Sequence, residues 1–199
     1  MEKKVLFIGL ILIAIGVGWF VFNESKPRPG QKFDDLGREH VPLTQPFEYN
    51  SNPPTSGSHF EDWVRAGVFD TVQLDRYLIH SLEHGYVIMS YNCSFGKDSV
   101  NEATSSAALK KLISEDASES AKLNSNFSSD ECKSLVADLT SIYEGKGKRK
   151  LIVVPRPTLD AKIALTAWTY LDKFNDFDKD RIEKFIDGNR DKGPEKTME

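Results

Sequence analysis

The sequence predicts an α+β protein: a small β-sheet packed with helices, preceded by one transmembrane helix and a proline-rich irregular segment. Three observations carry this. Residues 5–22 contain only apolar residues and glycine. Residues 23–58 hold Pro27, Pro29, Pro42, Pro46, Pro53 and Pro54. Beyond them, short apolar runs bounded by turn residues alternate with segments whose apolar positions recur at helical spacing.

At about 1.5 Å per residue, a helix over 5–22 is roughly 27 Å long, close to the thickness of a bilayer's hydrocarbon core. A cleaved signal has a shorter apolar stretch and ends in a small-x-small site. This run ends in Trp19, Phe20, Val21 and Phe22 with no cysteine at its end, which also excludes a lipoprotein signal. An uncleaved anchor over 1–23, a linker over 24–36 and one soluble domain over 37–195 are therefore expected. Flanking charge leaves the orientation open, because Lys3, Lys4 and the amino terminus face Lys26, Arg28 and Lys32. Two cysteines, an even number that allows one disulfide, lean towards an extracytoplasmic domain.

The prolines remove backbone donors and fix φ, so 23–58 cannot be regular helix or central strand. Its later part has Val41, Leu43, Phe47 and Tyr49 to bury and is expected to wrap against the domain. Residues 72–84 are expected to form a short helix with Val72, Tyr77 and Leu78 as its apolar stripe, ended by Gly85 as C-cap. Tyr86 to Tyr91 (YVIMSY) follows as a buried strand. In the polar stretch 94–131, Leu109, Leu112 and Ile113 suit a short helix over 106–115. Ser128 and Glu131 have capping-box spacing, and Cys132, Leu135, Val136, Leu139 and Ile142 then fall on one helical face that Gly145 and Gly147 end. LIVVP, its start marked by Lys150, is a second strand stopped by Pro155 and Pro157, and 163–171 (IALTAWTYL) reads as a third, with helix as the competing reading. Asp178 is expected to cap the last helix, with Phe177 and Ile182 as a staple, Ile182, Phe185 and Ile186 as its buried face, Gly188 as its C-cap, and a charged, fraying tail from Asn189.

A net charge of −4 without a long basic stripe gives no support for nucleic-acid binding. The chemistry points instead to the four histidines, His40, His59, His80 and His84, none of which lies beyond residue 84. Histidine is the commonest nitrogen ligand of zinc and copper. His80 and His84 are four apart, so on a helix both rings share one face and could reach one ion. With Glu83 between them, HSLEH matches the H-x-x-E-H pattern of inverted zinc peptidases, in which the glutamate activates water. The competing reading is a helix end, where histidines bond the last carbonyls and favour the dipole. The loop Pro53-Pro54-Thr55-Ser56-Gly57-Ser58-His59 would present His59 in one geometry: the prolines stiffen it, Thr55 and Ser56 bond nearby backbone, and Gly57 permits positive φ.

PPTSGSH at 53–59, GVF at 67–69 and HSLEHGYV at 80–87 resemble the signature of an uncharacterised bacterial family of membrane-anchored proteins, the domain-of-unknown-function family 3105. VVPRP at 153–157, ALTAW at 164–168, IEKFI at 182–186 and GPE at 193–195 extend the resemblance to roughly residues 36–195. Ser58 replaces a proline of the family's usual loop, and 94–131 is longer than its norm. The family brings no established activity. The resemblance implies an N-terminal membrane segment, an outward-facing domain, and one motif set of His59, His80, Glu83 and His84.

The expected function is binding of a zinc or copper ion through His59, His80 and His84, with His40 as a fourth ligand and Glu83 as a ligand or as the partner that orients an imidazole. The alternatives are a zinc-dependent hydrolase with Glu83 as general base, and a metal-free scaffold or partner-binding module. Met89 is read as a copper ligand or as core. Cys93 and Cys132 are read as a disulfide closing 94–131, as separate buried thiols, or as thiolate ligands. Trp63, Trp168 and Tyr170 are read as core or as the lining of a cleft.

Overall fold

The computed structural model describes residues 27–42, 45–96 and 125–198, together with positions 9, 12, 13, 15 and 16. Most of the apolar run 5–22 and the helix expected over 106–115 lie outside the described residues. No helix among the described residues is long and apolar enough to cross a membrane. Positions 12, 13 and 15 are helical, with Leu12, Ile13 and Ile15 more than 60% exposed (64%, 64% and 61%).

The fold is α+β. Six strands, β1 (Gln31–Lys32), β2 (Gly67–Val68), β3 (Val87–Tyr91), β4 (Leu151–Pro155), β5 (Ile163–Ala167) and β6 (Tyr170–Phe174), form one mixed sheet in the order β1-β6-β5-β3-β4-β2. β3 and β2 both run parallel to β4, whereas β3–β5, β5–β6 and β6–β1 are antiparallel. Among the described residues, helices α1 (Asp75–Glu83), α2 (Asp130–Gly145) and α3 (Lys179–Asn189) cover it. Strands β3, β4 and β5 are buried at every position, as continuous apolar runs must be when both faces are covered. Alternation sorts their side chains. Val87, Met89, Leu151 and Val153 pack with α2 and α3, and Ile88, Ile152 and Val154 pack with α1. Met89 thus belongs to the core on the face opposite α1.

Several sequence expectations are corrected. IALTAWTYL is a hairpin, because Thr169 takes a left-handed φ of 61°, folding Leu171 back to pair with Thr166. Its N–H donates to the Thr55 carbonyl (3.0 Å), so tertiary contact supplies a turn that no glycine or asparagine announces. Helix α1 starts three residues later than expected, leaving Val72 outside. The cap of α2 is Ser129, whose hydroxyl accepts from Cys132 N, while Ser128 ends a 3-10 turn. Asp178 caps α3 as expected, accepting from Arg181 N at 3.0 Å, but Phe177 stays 38% exposed while Ile182 is fully buried. Gly188 lies inside α3 instead of capping it; a Cβ there would strike the Pro29 ring. Cys93 and Cys132 form a disulfide within the first core, which removes thiolate ligation.

The segment after Asn189 is fastened, not frayed. Asp191 N donates to Gly85 O (2.9 Å) and Glu195 N to Glu83 O (3.1 Å). Buried Lys150 donates from Nζ to His84 O (2.8 Å), Thr197 O (2.8 Å) and Thr197 Oγ1 (2.9 Å). The tail therefore runs along the turn that ends α1.

Candidate metal centre

Helix α1 supplies His80 and Glu83, and His84 caps it. Ile79 and Leu82 are buried against the sheet, each contributing about 1.5–3 kcal/mol that holds the helix in place. Ser81 locks its rotation by donating to Val64 O at 2.8 Å. Gly85 has φ 83°, and a Cβ there would come 2.8 Å from the Asp191 Cα, so only glycine allows the tail to cross the helix end. Arg156, from the strand stop VVPRP, spans Asp75 at the start of α1 and Asn52 just before the cis Pro53 (Nη2 to Asn52 Oδ1, 3.0 Å).

The His59 loop is held at each backbone step. Thr55 O accepts from Thr169, Ser56 Oγ accepts from Leu36 N (3.0 Å), Gly57 N donates to Gly37 O (3.0 Å), and Tyr49 donates its hydroxyl to Ser58 O (2.8 Å). Gly57 has φ 119°, with the Phe47 and Tyr49 rings over it. A parallel bridge joins His40 to His59, with His59 N donating to Glu39 O and Val41 N to His59 O. The proline-rich stretch thereby brings His40 beside His59, with ring centroids 5.0 Å apart.

Two imidazoles have their tautomers set by backbone. His59 Nδ1 donates to Gly57 O (2.8 Å), and His80 Nδ1 donates to Phe60 O (2.7 Å). A carbonyl only accepts, so the proton sits on Nδ1 and Nε2 faces inward in each ring. His59 Nε2 lies 2.9 Å from Glu83 Oε2, His80 Nε2 lies 3.0 Å from His84 Nε2, and His40 Nε2 lies 4.0 Å from Glu83 Oε2. Burial pushes the His80 pKa down, assisted by neighbouring His84, His59 and His40 and opposed by the Phe60 carbonyl, so His80 favours its neutral, ligating form. Glu83 is buried, with Arg38 Nη1 3.6 Å from its Oε1.

The residues fall into two overlapping sets. His40, His59, His80 and Glu83 each offer a ligand atom within 4.8 Å of one another, and so do His80, His84 and Glu195. With zinc–nitrogen bonds of about 2.0–2.1 Å, tetrahedral ligand atoms stand roughly 3.3–3.5 Å apart, so small side-chain adjustments would let either set hold a cation. The donor chemistry is imidazole plus carboxylate, a set that could hold a metal ion. Every candidate ligand named from sequence, His40, His59, His80, Glu83 and His84, lies in this cluster. Sequence reasoning missed Glu195 and Lys150, whereas Trp63 is read there as core or as the lining of a cleft. Trp63 walls the site, its ring centroid 4.5 Å from His84 and 5.2 Å from His80. Trp168, 5% exposed, is in the second core and reaches out to donate Nε1–H to Asp35 (3.0 Å). The GPE motif at 193–195 was the available signal for Glu195, since a glycine two residues before an acid can mark a close backbone approach, as Gly193 makes on the Glu83 carbonyl.

Fold and site together define a small α+β protein with a histidine–carboxylate cluster that could hold a metal ion. The chain belongs to the family described as "Protein of unknown function (DUF3105)", whose model matches residues 40–199. No curated protein and no solved structure matches it.

Proposed function

We propose that this protein binds one zinc or copper ion through its histidine cluster, on the extracytoplasmic side of a membrane in which residues 5–22 anchor it. One observation carries the metal reading: the Nδ1 protons of His59 and His80 are committed to backbone carbonyls, and their Nε2 atoms face Glu83 and His84, respectively. That is how proteins orient ligating imidazoles, with the outer nitrogen bonded to a carbonyl and the inner one left for the ion. A bound ion would supply Lewis acidity and positive charge to this buried pocket. The disulfide supports an oxidising compartment, and the exposed side chains of Leu12, Ile13 and Ile15 support a lipid-facing helix.

The test is metal analysis of the tag-free, full-length chain in detergent, with calorimetric titration after chelation. About one equivalent of zinc or copper is expected, and His80→Ala should lose it. A chain that neither carries nor takes up either metal ends the proposal. Anchoring is tested separately, by deleting residues 1–23 and asking whether the protein leaves the membrane fraction.

A metal-free scaffold is the second reading. It is favoured by the His80–His84 hydrogen bond and by the bonds of His59 and His80 Nδ1 to backbone carbonyls, which partner these buried rings from within the protein. The same titration separates the two. The hydrolase reading has less behind it, because Glu83 is engaged by His59 at 2.9 Å and Arg38 at 3.6 Å rather than positioned as an unpaired base.

A further inference from the structure

We propose that His80, His84 and Glu195 form a second cation position, filled in alternation with the His40–His59–Glu83 position because both need the one inward nitrogen of His80. The inference rests on the metal reading above and goes beyond it by adding a ligand from the C-terminal tail and by limiting the site to one ion at a time.

Three observations carry it. First, Glu195 Oε2 lies 3.7 Å from His84 Nε2, and the ligand atoms of His80, His84 and Glu195 lie within 4.8 Å of one another. This set adjoins the first and shares only His80 with it. Second, the tail is built to bring Glu195 there. Gly193 packs on the Glu83 carbonyl and the Gly85 nitrogen with no room for a Cβ. Glu195 N donates to Glu83 O, and Lys150 joins His84 O to Thr197. Third, His80 donates Nδ1–H to Phe60 O, so its imidazole has a single nitrogen to give and cannot bridge two ions. Charge points the same way. Glu83 and Glu195 are the only carboxylates in the two sets, and Arg38 stands beside Glu83. A second divalent ion would bring two more positive charges to a set of ligands that has no further carboxylate to offset them.

The consequence is a path. An ion leaving the His40–His59–Glu83 set for the His84–Glu195 set exchanges its other ligands while keeping its bond to His80. Glu195, 49% exposed, puts the second position at the surface. This arrangement suits a protein that passes a cation on, by exchange of one ligand at a time, more than one that stores it.

Cobalt(II) titrated into the full-length chain in detergent tests the proposal, because its visible d–d bands report the ligand set. The wild type should saturate at one equivalent with bands from two environments. Glu195→Gln should still take up one equivalent but lose one set of bands, and His40→Ala should lose the other. Glu195 is half-exposed, so its variant leaves the core intact, which circular dichroism checks. Saturation at two equivalents would overturn alternation. A Glu195→Gln spectrum identical to the wild type would overturn the second position while leaving the first standing. Bands from a single environment would overturn the second position, and a wild type that takes up neither cobalt, zinc nor copper would end both this inference and the metal reading.

Discussion

At Gly57 a single missing Cβ decides where an imidazole sits. Its φ of 119° is unfavourable for side chains, and a Cβ would come 2.8 Å from Phe47 and 3.1 Å from Tyr49. Gly57→Ala should therefore cost about 1–3 kcal/mol of stability by chemical denaturation. It should also weaken metal uptake, because the Gly57 carbonyl is the acceptor that orients His59. An alanine variant with unchanged stability and binding would contradict this. His80 brings a pH dependence. Burial holds its folded pKa below the ordinary 6.5, so on acidification the unfolded chain takes up this proton first. The metal-free protein should then lose stability as pH falls below about 6.5 towards the lower folded value, with this contribution flat above 6.5. Thermal melts between pH 5 and 8 on chelated protein measure it, and a melting temperature that rises on acidification would contradict the sign. These residue roles were partly legible. Proline, glycine and histidine types in PPTSGSH announce a stiff loop delivering a ligand, and H-x-x-x-H spacing puts two rings on one helical face. The direction of each ring was not legible, because Nδ1 of His80 is set by Phe60 O, a backbone atom twenty residues away that no side-chain pattern encodes.

Among the elements, α1 and the tail that crosses its end behave as one unit. Gly193→Ala would push a methyl into the Glu83 carbonyl and should lift the tail off. We expect faster tryptic cleavage after Lys192 and Lys196, with a stability loss of about 1–3 kcal/mol; unchanged cleavage would show that the tail is not held by this contact. Strands β3 and β4 were plain from their apolar runs, and α3 from Asp178 and its apolar face. The β5–β6 turn was hidden because Thr169 adopts a left-handed backbone only by bonding to Thr55 in a distant loop. The tail read as solvated because its charges dominate its composition. Its anchoring comes from backbone bonds and from Lys150, a buried lysine that looks from sequence like a strand edge.

For the whole molecule, the sheet separates two tasks. One face, with α2, α3 and the disulfide, carries the larger core; the other, with α1 and the proline-rich wrap, carries the histidines. Reducing Cys93–Cys132, which are 39 positions apart, should therefore cost about 2–4 kcal/mol of stability. Cobalt uptake by the still-folded, reduced chain should be unchanged, and a parallel loss of both would show that the faces are not independent. The crossing of the tail over the end of α1 also makes the outer ligand detachable. A cut after Lys192 would remove Glu195 from its seat on the Glu83 carbonyl and leave the His40–His59–Glu83 set untouched, so a single peptide bond decides whether the cluster has a surface-facing carboxylate.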